Sequence, residues 1–226
     1  MEFADVVRAR RMVRTYDPER PIPEEWLVRA LDLACRAPSA GHTQGRDFLV
    51  LREPAARARF WAAAGRARDD RSPPADGVEE PADEAGDPWL TGMMTAPVLV
   101  VVLSDPGRYL DRYAEPDKGW TDRDGRRWPV PYWDVDAGMA ALILLLTAVD
   151  ERLAGCFFGV PAGAHPAVRA EFGVPGDRRI VGVVSLGHGA ADRRSPSLRR
   201  GRRPFGEVVH DGVFGRPLAA DGGSEL

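Results

Sequence analysis

Apolar positions recur along the chain at two periods, and their alternation lays out the elements. Phe3, Val6 and Val7 stand at helical spacing and predict a first helix running into Arg10-Arg11. Pro21-Ile22-Pro23-Glu24-Glu25 reads as a helix start, with proline and acids in the opening turn. Leu27, Ala30, Leu31 and Ala34 then follow the i, i+3, i+4, i+7 pattern until Pro38 ends the helix. Cys35, next to Ala34, is expected in the core. Phe48-Leu49-Val50-Leu51 predicts a strand and residues 54–67 a helix. Residues 97–103, rich in β-branched side chains, predict a buried strand, and 180–186 another, closed by Gly187. The apolar run 137–149 predicts a long helix, capped by Asp134 or Asp136. It is apolar almost all round, which suits a central helix or one shared with a second subunit. Residues 165–172 form one more short helix.

Three stretches break this rhythm. Residues 68–92 are rich in proline, glycine and acids and are expected to be mobile. Residues 116–132 are also rich in glycine and proline but hold Trp120, Trp128 and Tyr132, with Trp133 following. Aromatics in a long loop suit a lid over a flat substrate or packing at a subunit contact. From 189 to 226 little periodicity remains, which predicts an extended C-terminal arm. No repeat is present. The expectation is a single domain over 1–226, α+β (mixed α/β), with two insertions and a tail.

Composition narrows the chemistry. The 226 residues are ample for a core. The 137–149 run falls short of the roughly 20 residues that span a bilayer. The acidic opening, Met1-Glu2-Phe3-Ala4-Asp5, does not resemble a signal peptide, so a cytoplasmic protein is expected. Two cysteines and four scattered histidines give neither a disulfide framework nor a metal site. The only lysine, Lys118, sits in a polar loop unsuited to Schiff-base chemistry. The net charge of −3 hides two basic ends, +3 over 8–20 and +4 over 192–210, around a middle of −7 over 66–124. Nucleic acid is not an expected partner, since no wide basic face is implied. The two basic ends can instead converge on one anion.

Arg10-Arg11-Met12-Val13-Arg14 lies upstream of a proline-bounded helix. Ala37-Pro38-Ser39-Ala40-Gly41-His42-Thr43-Gln44 then feeds a strand. The long apolar helix, Gly155 to Pro161, Ser185-Leu186-Gly187 and Arg200-Gly201-Arg202-Arg203-Pro204 follow in order. This set resembles the FMN-dependent nitroreductase family over nearly the whole chain, leaving out the two insertions and the last dozen residues.

The resemblance implies a three-layer α/β/α sandwich with a mostly antiparallel central sheet. It implies a homodimer with FMN at the interface. Arg10 and Arg11 would meet Arg200 and Arg202 on the flavin phosphate, where arginine's planar fork suits phosphate oxygens. Arg14 would lie beside the pyrimidine ring, stabilising charge on the reduced flavin. His42 and Gln44 would hydrogen-bond the pyrimidine edge, and backbone N–H groups near Phe158 and Gly159 would approach N5 and O4. Met12 stands where the family has serine, His42 where it has asparagine, and Gly45-Arg46 where it has Pro-Trp. Cys156 is read as packing, and His165, His188 and His210 lack helper residues, so no side chain is assigned a catalytic role. The implied function is NAD(P)H oxidation with electrons passed to a nitroaromatic, quinone or similar small acceptor. No Gly-x-Gly-x-x-Gly follows a strand, so a Rossmann nicotinamide site is not expected. Two alternatives are an oxygen-using or dehydrogenating member of the same fold, and a non-catalytic flavin binder.

Overall fold

All seven residues of the strand Val98–Ser104 are buried, because helices cover both of its faces. In the computed structural model, which describes residues 1–65, 88–191 and 195–219, this strand is β2. It pairs antiparallel with β1 (Arg46–Leu51) on one side and β4 (Arg179–Gly187) on the other. The edge strand β3 (Ala154–Phe158) pairs antiparallel with β4, giving the order β1-β2-β4-β3.

The two-residue period of the strands sorts their side chains into two cores. Val98, Val100, Val102, Val184 and Leu186 pack with α2 (Glu24–Cys35) and α6 (Tyr132–Asp150). Leu99, Val101, Leu103 and Val183 pack on the other face with α3 (Pro54–Gly65) and α7 (His165–Phe172). Each fully buried valine or leucine contributes roughly 1.5–3 kcal/mol. The result is the expected mixed α+β fold in three layers. α1 (Phe3–Ala9), α4 (Pro88–Met94) and α5 (Pro106–Ala114) complete the large unit, Met1–Asp192. The small unit, Arg193–Leu226, holds a 3-10 turn at Pro196–Arg200, the one-turn α8 (Phe205–Val208) and a bridge between His210 and Pro217. The C-terminal segment is therefore not uniformly extended.

Several local expectations are corrected by tertiary partners. α1 stops at Ala9, and Arg10 is extended (φ −61°, ψ 122°) because the chain turns to join the sheet edge. The expected mobility of 68–92 concerns residues mostly outside the described ones, and 88–92 belong to α4. Neither Asp134 nor Asp136 caps α6, which starts after Pro131. Asp134 accepts a hydrogen bond from Ser104 Oγ at 2.6 Å and pairs with Arg179 at 3.0 Å, while Asp136 is buried. Cys35 is exposed, since it lies about 100° round the helix from the buried Ala34. Cys156 is buried, as expected.

α6 runs for 19 residues, long enough to approach a membrane span. Its packing is that of a core helix: Ala137, Ala140, Ala141, Leu144, Leu145 and Ala148 are buried against the sheet. It is nevertheless not covered on most sides. Val135 and Leu142 are 40% and 45% exposed, and Met139, Leu146 and Val149 are half-buried.

The aromatics of 116–133 pack on one another within the chain. Trp128 meets Tyr109, Tyr113, Trp120, Tyr132 and Trp133 at centroid distances of 4.5–5.9 Å. They pack around Tyr109 and Tyr113 of α5.

Candidate cofactor site

Residues 10–14 lie as an extra extended segment against the edge of β3. Met12 bridges Gly155 in parallel fashion, and Val13 N–H donates to Gly155 O at 3.1 Å. The buried Tyr16 hydroxyl donates to Val13 O at 2.6 Å and lies 2.8 Å from Ser185 Oγ, which pins the segment's backbone. Arg10 is half-buried and Arg11 exposed, and neither has an acidic partner among the described residues; Arg8, by contrast, pairs with Asp5. Arg14 is half-buried, and α4 packs tightly on its backbone: a Cβ at Gly92 would sit 2.5 Å from Arg14 O. The Met12 side chain packs on the α2/α6 core, and its sulfur accepts Phe157 N–H at 3.4 Å. A thioether turned to the protein's own backbone thus stands where the resemblance expects a hydroxyl for phosphate.

The loop 39–45 is strained and heavily braced. His42 and Gln44 both have φ of 54°, in the left-handed region, which costs a side-chain-bearing residue about 1–2 kcal/mol. Five bonds offset this. Asp136 Oδ2 accepts from Ala40 N–H at 2.8 Å and from Tyr109 OH at 2.7 Å. Arg112 Nε donates to Gly41 O, Gln44 N–H to Ser39 Oγ, and Thr43 Oγ1 to Ala40 O. Burial, reinforced by the bond to Asp136, pushes the Tyr109 hydroxyl well above its ordinary pKa, so it remains a donor. Tyr109 also explains Gly45, where a Cβ would meet its ring at 2.5 Å. The outcome is a rigid platform with His42 and Gln44 exposed, His42 Nδ1 and Gln44 Nε2 3.4 Å apart. Tyr109→Phe leaves Asp136 short of one donor; we expect a loss of about 1–3 kcal/mol, read as a lower urea midpoint.

The structure does not bring these two groups together in one chain. The loop is tied to Asp136 in the first turns of α6, whereas Arg11 lies with Val149 and Arg152 at that helix's other end. Thirteen residue steps lead from Asp136 to Val149, about 20 Å of rise.

Phe158 ends β3 and Gly159 follows it, beside a cavity of about 560 Å³ lined by Trp61, Ala62, Leu90 and Met93. Phe158 stacks on Trp61 with ring planes 13° apart. A Cβ at Gly159 would meet nothing within 4 Å, so open space flanks the backbone there, whereas a Cβ at Gly155 would lie 2.8 Å from Leu145 Cδ2 and 3.3 Å from Ser185 O. Arg200 and Arg202 are exposed in the small unit.

Sequence reasoning missed three residues. Asp136 was legible as a helix-start acid but not as the loop's anchor. Trp61 carried no motif. Arg152 follows directly on the apolar helix, where a left-handed residue is required, and that position was a readable signal.

Three layers around an antiparallel sheet, with a basic segment along the sheet edge, define an α+β sandwich. A sequence model of the Nitroreductase family matches residues 7–188, and the chain belongs to that family. It is 31% identical over 222 residues to a 4-nitrobenzoate reductase of Nocardioides sp. (strain LMS-CY), covering 92% of this chain and 88% of that one. It is 24% identical over 217 residues to an iodotyrosine deiodinase of Nematostella vectensis, covering 92% and 74%. Among solved structures, B. megaterium NfrA1 superposes with a TM-score of 0.69 at 16% identity, covering 95% of this chain and 75% of that one. A nitroreductase-like family protein from Bacillus cereus gives 0.64 at 17% identity, covering 93% and 96%.

Proposed function

We propose that the protein is an FMN-dependent NAD(P)H oxidoreductase whose flavin sites are each built from two copies of the chain. The observation that carries this reading is that the His42/Gln44 loop is tied to Asp136 while Arg11 lies with Val149, two points about 20 Å apart along α6 within one chain. Two half-sites, each braced and each presenting unspent polar groups, are complementary when a second copy supplies the missing half.

The chain's residues fit the group. Arg10 and Arg11 have no acid to neutralise them among the described residues, as a dianionic phosphate requires. Arg200 and Arg202 are two further exposed arginines, in the small unit. Arg14 supplies a cation for the pyrimidine side of the ring, and His42 and Gln44 of the other copy supply donors and acceptors for its edge. The open flank of Gly159 leaves room for a ring to approach the backbone beside Phe158. Met12 contributes packing and no phosphate contact. When bound, FMN supplies the redox chemistry, taking hydride from a nicotinamide and passing electrons to the acceptor in a ping-pong cycle. The cavity beside Phe158 has no charged side chain among its described lining, which suits a flat, apolar nitroaromatic or quinone.

The open face of α6 suits the dimer. Val135, Met139, Leu142, Leu146 and Val149 recur at alternating spacings of four and three, the stripe of a helix that pairs with another helix.

The test is the absorption spectrum of the purified protein, followed by anaerobic titration with NADPH and NADH. We expect flavin bands that bleach with at least one nucleotide and return on adding a nitroarene or quinone. Failure to take up FMN overturns the reading, and FMN that ignores both nucleotides marks a non-catalytic flavin binder.

A further inference from the structure

The last turn of α6 closes in a motif that favours glycine, and this chain places an arginine there. Leu153 N–H donates to Ala148 O at 2.7 Å and Arg152 N–H to Val149 O at 3.0 Å, the paired bonds of a Schellman turn. The residue between them must turn left-handed, and Arg152 does so with φ 57°. A side chain in that conformation is strained, so glycine would serve the turn better.

What the arginine gains is a place in a cavity. A space of about 250 Å³ opens between the basic segment and the end of α6, walled by Val13, Leu145, Val149 and Gly189. Its two charged lining residues are Arg11 and Arg152, both exposed and neither with an acidic partner among the described residues. Two guanidiniums facing one small cavity repel each other, and an anion between them relieves both. Their forked donors match a tetrahedral oxyanion.

We propose that Arg11 and Arg152 form a binding site for a phosphate monoester. The proposal rests on the flavin and nicotinamide use proposed above, and two ligands of that reaction carry such a group. One is the 5′-phosphate of FMN; the other is the 2′-phosphate that distinguishes NADPH from NADH. The chemistry recognised is the same in both cases.

Arg152→Gly tests it, because strain and charge then move in opposite directions. Removing the side chain relieves the left-handed residue, so the denaturation midpoint of the ligand-free variant holds or rises. Phosphate recognition, however, is lost. If the flavin phosphate is the ligand, FMN affinity falls about tenfold while riboflavin affinity is unchanged. If the nucleotide phosphate is the ligand, KM for NADPH rises about tenfold while that for NADH is unchanged. Unchanged values for all four ligands overturn the proposal, as does an equal loss for riboflavin or NADH with a lowered midpoint. A wild-type protein that takes up neither flavin nor nucleotide overturns the preceding reading instead. The cavity is then decided by inorganic phosphate, which must raise the midpoint of wild type and not of Arg152→Gly.

Discussion

A Leu142→Arg protein elutes as a folded monomer that binds no flavin. Leu142 is 45% exposed at the centre of the apolar stripe of α6 and contributes nothing to the sheet-facing core, which is built from Ala140, Ala141, Leu144 and Leu145. Arginine there is well hydrated in a monomer but is buried without a partner when two helices pair. That penalty is on the order of 3–5 kcal/mol, and it applies at both copies of a symmetric contact. The dimer constant therefore weakens by at least about a thousandfold. Circular dichroism and the thermal midpoint should stay near wild type while sedimentation reports the monomer. Flavin is lost because each monomer keeps only one half of a site that is split along about 20 Å of helix. A monomer that retains FMN contradicts the shared site; a dimer that persists contradicts the role of the α6 stripe.

The parts of the fold that were legible in the sequence are those decided by neighbours in the chain. β2 announces itself through an unbroken β-branched run, because both of its faces are covered. α2 announces itself through Pro23, two acids and a helical stripe. The basic segment was equally legible as a run of arginines, of which Arg10 and Arg11 have no acidic partner among the described residues. Its conformation was not, because the bridge between Met12 and Gly155 joins residues far apart in sequence. Asp136 shows the limit most clearly. A helix-start acid looks like a cap, and only partners 27 and 96 residues away make it the buried anchor of the loop. The aromatics near Trp128 gave a composition but no partner, and the partner turned out to be their own α5. The placing of Arg11 and of the 39–45 loop at opposite ends of α6 is a matter of three-dimensional distance, and no local pattern carries it.

Arg10→Ala with Arg14→Gln removes flavin from an intact dimer. Each guanidinium lost takes away a charge-assisted contact worth about 1.5–3 kcal/mol, so FMN affinity falls by at least about a hundredfold. Neither change touches the α6 stripe or the loop at 39–45, so the protein remains dimeric. Equilibrium dialysis against FMN reads the loss directly, with sedimentation as the control. Binding within tenfold of wild type contradicts the assignment of these two arginines to the flavin.

That variant also supplies one half of the most direct test of the shared site. His42→Ala with Gln44→Ala supplies the other half, stripping the platform while keeping its backbone and Asp136 anchor. Homodimers of either variant carry two damaged sites. A heterodimer, isolated from cells expressing both chains with different tags, joins an intact basic segment to an intact platform at one of its two sites. The measurement is the flavin content of that heterodimer. The shared site predicts about one FMN per heterodimer, against close to none in either parent. A heterodimer as empty as its parents places both groups of residues in the same chain's site and contradicts the account.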